Sequence, residues 1–404
     1  MPSEANLDTG TITGALASAS CVKLVVSGAK NAFVIDGLSI PSNKTLWVDA
    51  GVTVYGKILT SSTLITIGSG GALMGAGTID AQGGEPSASG GSSAWKQSSD
   101  LRASNGSASL PPMIQWSGSN VTLYKITLHN GQKFQVIPNG SNYLIWGITI
   151  KTPSRTTNSR GDAVSPFFAR NTDAIDPGQG GSGGSNGFIV YSNISTGDDH
   201  IAIKGSGGVS NIKVLHNHFG SGHGMSIGSE TQGGVSGIEV CDLTVDGSLR
   251  PTGGSPPIDV NGLRIKSDSS RGGKVSNITY DQICVRDVDF PIVFNPNYST
   301  KTGSSVPSYT GLTVTNLHAT SSSIAQTVVL DGFNAANPTV VRLSNVVVDA
   351  TAAGSARATS QFANVTLGPG NVSPLPTASS TVTVTNNISG ASTPIDCSAR
   401  WFTF

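Results

Sequence analysis

Asp173, the pair Asp198 and Asp199, and His223 recur along the chain at intervals of 25 residues, from 173 to 198 and from 198 to 223. Carboxylates and an imidazole brought side by side can donate and withdraw protons, the chemistry of general acid/base catalysis. A spacing near 25 residues matches one coil of a parallel β-solenoid, whose coils stack at roughly 4.7–4.9 Å. The positions would then form a column on one face, with a substrate lying across the coils. Each residue alone has a plainer reading. Asp173, in Asn171-Thr172-Asp173, and Asp176, before Pro177, suit turns. Adjacent Asp198 and Asp199 suit an exposed bend, and His223 between Gly222 and Gly224 suits a structural role. The shared spacing is what sets Asp173, Asp198, Asp199 and His223 apart.

Neighbouring aspartates repel when both ionise. Strand alternation also sends them to opposite faces, so both reach one substrate only from a strand end or bend, for which Gly197 is suited. Arg264 and Lys266 flank Ile265 and share the face opposite to it. In a chain with only 12% charged residues, such a cationic pair reads as a clamp for a substrate carboxylate. The substrate is then an acidic polymer.

The 24 basic and 24 acidic residues cancel to a formal net charge of zero. That balance leaves no long-range field for nucleic acid or an anionic membrane surface. No apolar run approaches the roughly 18 residues needed to span a bilayer. The 51 glycines and the modest 37% of apolar residues suit tight turns between short strands rather than helix bundles. Cys21, Cys241, Cys284 and Cys397 show no metal-ligand spacing and fix no pairing, so free thiols and a single bridge both fit. Met1-Pro2-Ser3 shows no signal-peptide pattern, which suggests a trimmed or recombinant mature form.

The elements that must position these residues are legible as coils. Val121–Leu128 recurs as Tyr143–Ile150, a shift of 22 residues, and alternation within each half gives two short strands separated by a bend. Similar cassettes follow at 212–214, 238–245, 278–285, 312–317 and 341–348. All 404 residues therefore read as one all-β, parallel β-solenoid domain with a continuous core, expected to be a monomer. A short helix from Thr9 would cap the first coil within residues 1–25, since open sheet edges recruit other chains. The Gly/Ser-rich segment 83–112 and the segment 153–170 interrupt the rhythm and read as loops walling a cleft.

In order and spacing, Asn171-Thr172-Asp173, Gly197-Asp198-Asp199, Gly222-His223-Gly224 and Arg264-Ile265-Lys266 resemble the four signatures of glycoside hydrolase family 28, the polygalacturonases. The runs 195–204, 220–230 and 261–268 look most like those of its bacterial endo-acting members. The resemblance implies a right-handed parallel β-helix that hydrolyses α-1,4 bonds of polygalacturonate without metal or other cofactor, secreted and extracellular. Carried over by position, Asp198 is the general acid, Asp173 and Asp199 activate water, and His223 keeps the acid in its working state. Arg264, Lys266, Asn171 and Tyr298 bind substrate, while His200 is expected to matter little. Carboxylates near 5 Å apart would by distance suggest a retaining glycosidase; the resemblance implies inversion instead. Clustered acids sharing protons predict a bell-shaped pH profile on the acidic side of neutrality. An exo-acting polygalacturonase or a hydrolase of decorated pectin is the alternative, because the two loops could close one end of a groove. A lyase and a non-catalytic adhesin are the remaining β-helix readings.

Overall fold

The computed structural model describes residues 4–404 apart from 88, 89, 105, 107, 154, 155, 182, 251–258, 323, 352, 353 and 391. Met1-Pro2-Ser3, on which the expectation of a trimmed form rests, lies outside the described residues, as do 88, 89, 105, 107, 154 and 155 within the two expected loops.

Each coil is built from apolar residues at alternate positions. Ile145 pairs in register with Ile189, and the same column continues through Val214, Val240, Tyr280, Val314 and Leu343. All of these side chains are buried, and burying each fully is worth about 1.5–3 kcal/mol. Between the two strand halves the backbone turns a corner at a residue with positive φ: Gly147, Tyr191, His216, Asp242, Gln282, Asn316 and Asn345 occupy it in successive coils, with φ between 49° and 62°. The bend expected between paired short strands is this left-handed corner.

The paired halves stack into a twenty-stranded parallel sheet. Opposite it lie a four-stranded sheet ending at Val136–Pro138 and a six-stranded sheet starting at Ile201–Ile203, both parallel. Ile175 joins these two through single bridges to Val136 and Ile201. Sheets wound this way around one apolar core, which runs from Ile12 to Val382, make a right-handed parallel β-helix. The helix α1, Thr9–Ser18, covers the first coil and buries Ile12 and Leu16, one turn apart on one face.

The segment 83–112 contains a second helix, α2, Ala94–Ala103, where sequence suggests only loop. Its signal is weak because Trp95 is its one large buried residue among polar neighbours. Ser93 caps it by accepting the Lys96 N–H (3.2 Å). Trp95 packs with Val164 and Ala169 in a small separate cluster, and its Nε1 donates to Gly131 O (2.9 Å). The chain passes so close to the indole at Gly83 that a Cβ there would stand 2.5 Å from Nε1. In segment 153–170, Thr156–Thr157 and Ala163–Val164 form an antiparallel hairpin. Arg160 at its tip donates to Ser87 O and Gly90 O, which ties the two segments into one wall.

Candidate active site

The acidic residues sit where the chain crosses from the long sheet to the six-stranded one. Gly197 and Asp198 lie in a bend directly after the strand Asn193–Ser195 and before Ile201–Ile203. A Cβ at Gly197 would stand 2.3 Å from the Pro166 backbone, so only glycine lets this bend seat against the wall segment. The coil from Ile175 to Ile201 is 26 residues long and that from Ile201 to Met225 is 24. By register, therefore, Asp199 rather than Asp198 stands level with Asp173 and His223. Asp198 reaches His223 from one residue earlier, across the bend.

Asp198 is gripped from several sides. Its Oδ1 lies 2.9 Å from His223 Nδ1 and accepts the Asp199 N–H, while Oδ2 accepts the Asn171 N–H (3.2 Å). Asn171 thus acts here through its backbone, which adopts a φ of 61°. Burial would raise the Asp198 carboxyl, but the neighbouring His223, then Lys266 and Arg264, outweigh it and hold the group far below the usual carboxylate range.

Asp199 is almost fully buried and fully committed. Its Oδ1 accepts from Arg264 Nη2 (2.7 Å) and Ser226 Oγ (2.9 Å), and its Oδ2 from Lys266 Nζ (2.8 Å). Against the cost of burial, these two cations bring its carboxyl down to about 2. Arg264 and Lys266 do share one face while Ile265 joins the core, but their first partner is Asp199. Tyr298, 46% exposed, lies beside both, with its ring centroid 5.9 Å from the Arg264 guanidinium carbon and 5.2 Å from Lys266 Nζ.

Asp173 is buried, with Oδ2 3.8 Å from Lys204 Nζ and Oδ1 lacking a partner among the described residues. Burial, followed by the charges of Asp176 and Asp198, pushes its carboxyl well above the usual range, and Lys204 opposes that rise. Asp176, which reads in sequence as a turn residue, is fully buried three residues on, and neither of its oxygens finds a partner among the described residues. Its carboxyl is pushed up to about 8 by burial, again against Lys204. Lys204 thus serves Asp173, Asp176 and Glu230 together.

Sequence reasoning also missed Phe167 and undervalued His200. Phe167, on the wall segment, sets its ring at 88° to the His223 imidazole with centroids 5.1 Å apart. His200 is buried and stacked on Phe219 at 4.5 Å. Its Nε2 meets Gly220 O (3.1 Å) and its Nδ1 accepts the Gly224 N–H (3.0 Å). Burial lowers its pKa to about 4, and a neutral ring with one donor and one acceptor is what those two contacts require. No spacing rule marks such a residue, because its partners are backbone atoms.

Ligand atoms of Asp198, Asp199 and His223 lie within 4.8 Å of one another. Two protein cations already neutralise Asp199, and Nδ1 of His223 is aimed at Asp198, so the set suits proton transfer better than cation binding. A hollow of about 540 Å³ bounded by Leu144, Phe188 and Lys213 opens elsewhere, on the long sheet, and contains none of these groups.

The profile of the glycosyl hydrolases family 28 matches residues 23–373. The chain is 39% identical to a polygalacturonase of Ralstonia nicotianae over 87% of this chain and 74% of that protein. It is 35% identical to an endo-polygalacturonase of Pectobacterium carotovorum subsp. carotovorum over 86% and 85%. Among solved structures it resembles the polygalacturonase from Erwinia carotovora ssp. carotovora, with a TM-score of 0.76, 33% identity and coverage of 90% and 95%. An exopolygalacturonase from Thermotoga maritima, at 18% identity and a TM-score of 0.68, shares the fold. The chain is a glycoside hydrolase and belongs to family 28.

Proposed function

We propose that the protein cuts α-1,4 bonds within polygalacturonate chains, with inversion. The observation that carries this reading is the convergence of Asp173, Asp198 and Asp199 on one face beside Arg264, Lys266 and Tyr298. Relatives named endo-polygalacturonase at 34–35% identity favour attack inside the chain. Asp198 protonates the glycosidic oxygen as its bond to C1 breaks, sharing that proton across the contact to His223 Nδ1. Water adds to C1 from the other face and loses its proton to Asp173, with Asp199 alongside. Asp199 makes a poor nucleophile, because both oxygens are occupied and its charge is drained by two cations. That supports inversion despite the short spacing between carboxyl groups. Arg264, Lys266 and Tyr298 then meet the uronate beside the scissile bond.

The test is polygalacturonate hydrolysis followed by viscosity and reducing ends together. Viscosity is expected to collapse while few ends have formed, with the β-anomer appearing first by proton NMR. Monomer released from the outset, or an initial α-anomer, defeats the endo or the inverting part respectively.

A second assignment of roles draws on the opposite pKa shifts of the two acids: a raised Asp173 would hold the proton and an ionised Asp198 would be the base. A 4-nitrophenyl oligogalacturonide separates the two, since its leaving group departs without an acid. Asp198→Asn is expected to recover on it; recovery of Asp173→Asn instead exchanges the roles. The Cys284–Cys397 disulfide supports work in an oxidising, extracellular setting, where plant cell-wall pectin would be the natural source of substrate.

A further inference from the structure

After the strand Val382–Asn386, the segment 392–404 runs back along the outside of the long sheet over successively earlier coils. Ile395 O meets His318 Nδ1 (3.0 Å), and Cys397 is bonded to Cys284. Arg400 then donates to Gln282 O (2.8 Å) and to Asp242, and the Trp401 ring lies 4.3 Å from the Arg286 guanidinium carbon. Phe402 stacks on His218 at 5.6 Å, and Phe404 meets Phe402 edge-on at 5.1 Å. Phe404 ends against Gly220, where an added Cβ would stand 2.8 Å from its ring.

Gly220 opens the turn that carries His223. One end of that turn, Gly220 O, and the other, Gly224 N–H, are both tied to the His200 ring. Phe404 covers the Gly220 end of the same turn. A continuous chain of contacts therefore links the Cys284–Cys397 anchor to the backbone that aims His223 at Asp198.

We propose that segment 392–404 is a strap, and that Phe404 is a positioning residue: packed on Gly220, it holds the turn 220–224 so that His223 Nδ1 stays on Asp198 Oδ1. Phe404 touches neither carboxylate, and the inference rests on the proposed role of the Asp198–His223 pair. Phe404→Ala is expected to lower kcat on polygalacturonate roughly 5- to 20-fold with KM changed less than 2-fold. It should also shift the pH profile in the direction produced by His223→Ala, and Phe404→Leu should restore most of both. Gly220→Ala, which displaces the ring, should match Phe404→Ala, and the double variant should be no worse than either single one. An unchanged kcat and pH profile in Phe404→Ala, or losses that multiply in the double variant, overturn the proposal. The imidazole N–H resonance of His223 gives a readout independent of turnover: it is expected to move in Phe404→Ala and return in Phe404→Leu. A fixed resonance sinks the strap, whereas a wild-type protein that releases no reducing ends sinks the functional reading alone.

Discussion

Neutralising Asp198 and neutralising Asp199 have different expected consequences, although the two residues are adjacent. Asp198 is partly open to the cleft, with 22% of its side chain exposed, and faces a titratable partner. Asp198→Asn is expected to cost about 10²–10⁴ in kcat while moving the unfolding midpoint little. Asp199 is the shared counter-ion of Arg264 and Lys266, with 1% of its side chain exposed. Asp199→Asn strands two buried cations, so a loss on the order of 3–5 kcal/mol in urea unfolding is expected in addition to lost turnover. Equal unfolding curves for the two variants would refute this division. The sequence made these acids visible because the two successive coils that carry them are nearly equal in length, so that residues of one column recur at one interval there. It blurred which of the pair is level with Asp173, since successive coils of 26 and 24 residues average to the observed 25. Asp176 and Lys204 stayed hidden for another reason: burial, not residue type, gives them their electrostatic weight.

The strands around the site follow from apolar alternation, whereas the wall outside them does not. Helix α2 and the 156–164 hairpin hold together through Trp95, Val164 and Ala169, a cluster separate from the main core. A polar, glycine-rich stretch gives no periodic pattern from which that helix could be read, and the partner of Trp95 lies some seventy residues away in sequence. This separateness has a consequence for stability. Trp95→Ala removes the hub of the small cluster and is expected to open the wall locally without unfolding the coils. Limited proteolysis is then expected to cut within 83–112 faster than in the wild type, and kcat/KM to fall several-fold because Arg102 of α2, which donates to Phe167 O (3.4 Å), no longer steadies the backbone that sets Phe167 beside His223. A global midpoint that drops along with the cutting rate would show that wall and coils unfold as one unit.

For the whole chain, a solenoid was readable because every coil repeats the same burial problem; the disulfide partner of Cys284 was not, because Cys397 lies 113 residues away on a strap that belongs to no coil. The buried ionisable groups add a stability profile that no composition total contains. Asp176, raised from 3.8 to about 8, and Asp173, raised in the same direction, favour the protonated folded state. Their contribution is complete below pH 3.8 and is lost as pH rises toward the folded value. His200, lowered from 6.5 to about 4, acts in the opposite sense, as do the half-buried His129 and His218. Their contribution is present above pH 6.5 and lost as pH falls. Asp199, lowered to about 2, loses its contribution only below pH 3.8. Between pH 4 and 6.5 these aspartates and histidines therefore oppose each other, whereas between pH 6.5 and 8 the raised aspartates no longer meet that opposition. At about 1.4 kcal/mol per pH unit for one proton, a fall on the order of 2 kcal/mol is expected from Asp176 across that upper interval. Urea unfolding at pH 6.5 and pH 8 is expected to show this decline in the wild type, and Asp176→Asn to flatten it by about the same amount. Equal wild-type stability at the two pH values would mean that Asp176 is already ionised at pH 6.5, held by Lys204, and that the charge balance beneath the active site is set by that ion pair instead of by burial.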